Sequence, residues 1–227
     1  MAIIFLYFAL FLGVHLVARQ FVKRGAARLM QLVACFLLLF GFFGFRNITV
    51  LNDTPHYYGA YYQLTHLKNY VESSIFVYRI LLSFEYGYQV FQHFLIKYVS
   101  KEPFTIIVIS SFIISWGNVK FISHQTRHIA LALLMVLLSG VLFDQYCLIR
   151  QSFALMFFYA ALPYLKQERW KPYVALIICG ALFHLSALVL LILPILQRIR
   201  ICKRNVTIVL SSMVTLTKPA SILLSSP

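Results

Sequence analysis

Apolar residues run in long blocks separated by short polar breaks, with few charges inside the blocks. A membrane-spanning helix needs roughly 17–25 such residues. Ala2–Ala18 opens the chain as one block and Leu29–Phe45 follows. Phe104–Ile122, the shorter Ile129–Phe143, Gln145–Leu165 and Pro172–Leu196 complete the set. The pattern predicts an all-α, polytopic integral membrane protein with about six transmembrane helices. A large extracytoplasmic loop, about 46–103, follows the second. Residues 1–204 form one transmembrane domain on this reading, and 205–227 an atypical tail. The first block has neither a basic stretch before it nor an A-x-A site, which marks a retained span and not a cleaved leader.

Charge orients the helices. Lys and Arg near span ends favour the cytoplasm. Arg19, Lys23, Arg24 and Arg28 lie inside on this rule, which puts Gly117–His128 and Lys166–Lys171 inside as well. Arg46–Pro103 and Asp144 then lie outside. The sixth block breaks the pattern, because one crossing leaves Arg198, Arg200, Lys203 and Arg204 outside. At about 1.5 Å per residue this block is roughly 37 Å long, enough for one span and too short for two. Two forms stand: a simple span, and a re-entrant segment turning near Gly180–His184. Broken backbone at membrane depth must be buried in protein or face water.

Within the outer loop, Val90, Phe91, Phe94, Leu95 and Tyr98 recur at helical spacing, with Gln89, Gln92, His93, Lys97 and Lys101 on the other side. That predicts an amphipathic helix over Gln89–Lys101 lying along the outer membrane surface. The tail differs in kind. None of the 21 Phe, 14 Tyr and 2 Trp residues lies beyond Phe183, and Asn205–Pro227 is rich in Ser and Thr. Such a tail reads as a truncated or frame-shifted end, or as a disordered one.

Composition agrees with the membrane assignment: 61% of the 227 residues are hydrophobic and 11% charged, with a mean hydropathy of +0.83. A soluble domain is about half apolar and about a quarter charged. The net charge of +14 is carried between apolar blocks, so it reads as topology and not as nucleic-acid binding. Four cysteines without CxxC or zinc spacing make neither a disulfide framework nor a metal site. GxGxxG, Walker A, HExxH, D-x-D and G-x-S-x-G are all absent, which speaks against nucleotide binding and metallohydrolysis. No metal and no cofactor is expected. No internal repeat supports a transporter built from inverted halves.

The remaining candidates converge on the outer face. Arg46 follows the second span; Asp53, Tyr57, Arg79 and Glu85 lie in the outer loop, and Asp144 and Arg150 near the start of the fifth block. Arg150 sits five residues into that block, where burying a charge costs up to about 2.5–3.5 kcal/mol on insertion scales. Its planar fork matches phosphate oxygens; snorkelling or pairing with Asp144 is the plainer alternative. His184 stands mid-block, either as a base or as a satisfied core histidine. Eight of the 14 tyrosines fall between Arg46 and Tyr88, suited to stacking on sugar rings or to an aromatic belt at the interface.

Four local patterns carry a resemblance. Arg46 with Asp53 and Tyr57 is similar to Arg…G-x-D-x-x-x-Tyr, with Leu51 where the glycine usually stands. Glu85-Tyr86-Gly87-Tyr88 is like E-x-G-Y, Arg150-Gln151-Ser152-Phe153-Ala154 like R-Q-x-x-A, and Phe183-His184-Leu185-Ser186-Ala187 like F-H-x-S-A. In this order over about Phe45–Leu188 the chain resembles the EpsG family, Wzy-type polymerases of exopolysaccharide and O-antigen repeat units. Family members continue through further spans, so the resemblance also suggests a C-terminally truncated chain. It implies a multi-pass protein of the bacterial inner membrane. Such a protein takes a polyprenyl-pyrophosphate-linked glycan as substrate and works with other polysaccharide assembly proteins in the lipid bilayer. Asp53, Glu85 and His184 are then the candidate catalytic residues, and Arg46, Tyr57, Arg79, Arg150 and Gln151 bind substrate. The rivals are an inactive truncated fragment and a non-enzymatic flippase or transporter of the same machinery.

Overall fold

The computed structural model describes residues 24–49, 53–66 and 84–198, together with the helical backbone at 9 and 12–13. The predicted first span, Arg79 and the tail 205–227 lie outside them. Among the described residues every regular element is helical.

Helix α1 (Arg24–Gly44) and helix α4 (Thr105–Gln125) correspond to the second and third predicted spans. Both are long and apolar enough to cross a bilayer. They pack along each other through Cys35, Leu39, Phe43, Ile114 and Ile122, and through edge-to-face contacts of Phe36 with Phe112 and Trp116. Leu29, Val33, Leu37 and Trp116 face outward. An apolar surface of that kind suits a lipid environment.

Between them in the chain, two helices are described in the stretch predicted as the outer loop. Helix α2 (Asp53–His66) opens on Asp53, whose charge suits a helix N-terminus, with Pro55 in the first turn where no amide bond is lost. Helix α3 (Tyr86–Tyr98) begins three residues earlier than the periodicity predicts, and its register is turned. Tyr88, Gln92 and Leu95 form the buried stripe, while Val90, Phe94 and Tyr98 are exposed. Gln92 was expected on the wet side. The helix lies against α4, and the buried stripe is the one that meets it.

The predicted fourth span is not one straight helix. Helix α5 (Ile129–Leu138) and helix α6 (Val141–Cys147) meet at 67°, with Gly140 between them at φ 81°, a conformation glycine adopts without strain. A second break at Leu148 separates α6 from helix α7 (Ile149–Lys166). Arg150 is therefore the second residue of a helix, and not buried within a continuous one. Pro172–Leu196 is broken too: helix α8 (Trp170–Ala181) ends, and Leu185–Ile192 continues as 3-10 turns. The straight form is not seen, and the break falls where the re-entrant alternative placed its turn. The residues from Leu191 belong to a separate unit, in which helix α9 (Leu193–Arg198) is described.

Two basic residues tie together loops that the sequence assigns to the cytoplasm. Arg28 donates to the Ser123 carbonyl at 2.8 Å, and Lys166 to Gln125 Oε1 at 2.7 Å. The three loops assigned to the cytoplasm thus meet.

Candidate functional site

Glu85 stands directly before α3, in extended conformation at its N-cap position. A cap side chain normally bonds the first turn, but this one makes no such bond. Its carboxylate turns instead to two distant partners. Arg150 Nη1 donates to Oε2 at 2.5 Å, and His184 Nδ1 lies 3.1 Å from Oε1. An ionised carboxylate only accepts, so the imidazole proton sits on Nδ1. Burial works to raise the pKa of Glu85. Its own backbone amide, Arg150 and His184 outweigh that, and hold the carboxyl below the usual range.

Arg150 is clasped on other sides as well. Its Nε faces the Tyr57 hydroxyl at 3.4 Å, and the guanidinium lies 5.0 Å from the Phe84 ring and 5.9 Å from that of Tyr57. These contacts hold the fork in one plane. Burial raises the pKa of the Tyr57 hydroxyl despite the neighbouring cation, so it keeps its proton.

The two breaks in the helices make this meeting possible. Ending α6 at Cys147 brings Arg150 to the first turn of α7, and ending α8 at Ala181 releases His184 toward Glu85. Gly87 locks the arrangement: its amide donates to the Leu182 carbonyl at 2.8 Å. A Cβ at this position would stand 2.8 Å from that same oxygen. Only glycine lets α3 approach so closely.

Beside the cluster is a cavity of about 440 Å³, walled by Asp53, His56, Tyr57, Gln63, Phe84 and Arg150. Small-molecule sites are of this order, about 300–1,000 Å³. Asp53 is the acid in the wall, whereas Glu85 and His184 stand behind Arg150.

The sequence candidates therefore separate. Glu85, Arg150, His184 and Tyr57 come into one cluster, and Asp53 lines the cavity together with Tyr57 and Arg150. Arg46 does not join. It is buried, its Nη1 donates to the Tyr146 carbonyl, and its guanidinium lies 5.2 Å from the Tyr146 ring. Gln151 is exposed and outside the cavity wall. Tyr61 and Tyr88 are core residues and not sugar platforms; the Tyr61 hydroxyl donates to the Ser100 carbonyl at 2.6 Å. Asp144, the plainer partner considered for Arg150, is exposed on α6. Sequence reasoning missed His56 and Gln63. Their spacing from Asp53 was the available signal, masked by the tyrosines around them. Among the described residues, no three His, Cys, Asp or Glu side chains gather as a metal site would require.

An all-helical fold with apolar helices long enough to cross a bilayer defines the class: a membrane protein. The sequence pattern of the EpsG family matches residues 29–226, and the chain belongs to that family. Membership places it among polysaccharide polymerase-type membrane proteins. The match runs across 205–226, the stretch that composition had set apart. No curated protein and no solved structure matches the chain.

Proposed function

We propose that the protein joins lipid-linked oligosaccharide repeat units into a polysaccharide at the outer face of the bacterial inner membrane, held by about six spans. The donor is a glycan on polyprenyl pyrophosphate, and the acceptor is the sugar end of another lipid-linked unit. The observation that carries this reading is the Arg150 guanidinium, fixed by Glu85 and two aromatic rings at the wall of a cavity that also presents Asp53.

An acceptor hydroxyl oxygen bonds to the anomeric carbon of the donor as the bond from that carbon to the pyrophosphate oxygen breaks. The electron pair leaves on pyrophosphate. Arg150 stabilises the charge that develops there; a guanidinium has five donors in a plane, enough for a carboxylate and a phosphate oxygen together. Asp53 takes the hydroxyl proton, since it is the acid that lines the cavity, while both oxygens of Glu85 are engaged. Glu85 and His184 act as positioning residues, His184 holding Glu85 and Glu85 holding Arg150. Arg46, held at the Tyr146 carbonyl, is not assigned to substrate.

Arg150→Ala tests the proposal. Chain elongation is lost while the protein remains in the membrane. Polymer of normal length from that variant would refute the role.

A further inference from the structure

One wall of the cavity is a single helix face. In α2, Asp53, His56, Ala60 and Gln63 recur at intervals of three and four, with Gly59 beside Ala60, and all line the same space. From Asp53 to Gln63 the helix rises roughly 15 Å. The polar groups are thus spread along a trough and not gathered at one point.

Their chemistry is that of hydroxyl recognition. Asp53 accepts hydrogen bonds, a neutral imidazole donates from one nitrogen and accepts at the other, and the Gln63 amide does both. Among the described residues, the side chains of His56 and Gln63 have no hydrogen-bond partner, so their capacity is open to a ligand. The Phe84 ring supplies a flat apolar wall. Among the described residues, formal charge in the wall is one acid and one guanidinium that is already paired with Glu85. An uncharged, hydroxyl-rich ring with an apolar C–H face satisfies every one of these groups. A phosphate along the α2 face would instead meet Asp53.

Gly59 completes the picture. Glycine inside a helix is destabilising relative to alanine. Packing does not require it here, because nothing lies within 4 Å of where its Cβ would be. The open volume is the trough itself.

We infer that this face of α2 is the acceptor-glycan subsite. His56 and Gln63 hold hydroxyls of the incoming sugar chain, and Gly59 keeps the floor clear for its rings. The assignment rests on the polymerase reading for its biological role, but it has its own physical test.

Lipid-linked repeat unit is isolated from a strain lacking the protein, and mild acid releases its oligosaccharide. Binding of this pyrophosphate-free oligosaccharide to the detergent-purified full chain is followed by saturation-transfer NMR. Elongation of the intact lipid-linked unit is measured separately in membranes. Wild type binds the free oligosaccharide, Gln63→Ala binds about 3- to 10-fold more weakly, and Gly59→Leu, which fills the trough, does not bind. Gly59→Leu binding as well as wild type overturns the subsite while leaving elongation by wild type to stand for the polymerase. Binding that Gly59→Leu abolishes, in a protein that never elongates, keeps the subsite and discards the polymerase. No binding by wild type overturns the subsite. Gln63→Ala removes only a cavity-lining amide, and its affinity decides the matter if Gly59→Leu fails to reach the membrane.

Discussion

Gly87→Ala is the sharpest probe of how the site is held together. Inside a helix this exchange normally stabilises by about 0.5–1 kcal/mol. Here the new methyl would lie 2.8 Å from the Leu182 oxygen, 2.9 Å from its Cβ and 3.0 Å from its carbonyl carbon. Those atoms are backbone or rooted in it and cannot swing aside. Ordinary contact needs about 3.5–4.0 Å, so the start of α3 must withdraw by roughly 0.5–1 Å. The withdrawal stretches the 2.8 Å bond from the Gly87 amide to Leu182 out of hydrogen-bonding range. Overpacking costs about 1–3 kcal/mol and the lost bond about 0.5–1.5 kcal/mol. After the gain in helix propensity, a net loss of about 0.5–4 kcal/mol remains. Glu85 moves with the helix start, and its bonds to Arg150 at 2.5 Å and His184 at 3.1 Å do not both survive. A 1 Å misplacement of catalytic groups costs about 10²-fold in rate. The assay is complementation of a strain lacking the protein, read as polymer length on a gel, with membrane protein level by immunoblot and melting temperature in detergent. Short polymer, near-normal protein level and a lowered melting temperature are expected. Gly59→Ala, with open space around it, is the control and should raise the melting temperature. Normal polymer with unchanged melting from Gly87→Ala would refute the close-contact account.

Arg150→Lys keeps the charge but loses the planar fork and its contacts with the Phe84 and Tyr57 rings; elongation rate in membranes should fall at least about 10-fold. Glu85 is held below its ordinary value near 4.5, so its stabilising contribution is complete above that pH and is lost as pH falls through the lowered value. Melting temperature measured from about pH 7 down to about pH 3 should drop for wild type more steeply than for Glu85→Gln. Asn118→Ala leaves Gln145 buried without the partner it now holds at 2.8 Å, and should destabilise by about 1–3 kcal/mol in detergent melts. Tyr57→Phe removes one long contact to Arg150 and should lower elongation only about 2- to 5-fold in the membrane assay.

Much of the architecture is written in the hydropathy of the chain. Leu29–Phe45 and Phe104–Ile122 are uninterrupted apolar runs, and nothing but a helix satisfies such backbone in lipid. The breaks at Leu148 and Leu182 are different. The residues there remain apolar, so periodicity passes through them unchanged, and only tertiary contacts fix where a helix stops. Glu85, Arg150 and His184 could be grouped from the sequence by motif resemblance, but which touches which depended on those breaks. The face of α3 was misjudged because Gln92 is polar by type and buried by position. His56 and Gln63 went unnoticed for a similar reason: their significance comes from sharing a helix face with Asp53, in a loop whose tyrosines draw attention first.

The order in which the clustered charges leave the ribosome follows from their positions along the chain. Glu85 is made first, Arg150 later and His184 last. The guanidinium, costly to bury without a partner, is thus made only after the carboxylate it pairs with. The imidazole is the last of the three to join, at Glu85 Oε1. The three-residue cluster therefore cannot close until the chain has been made past His184.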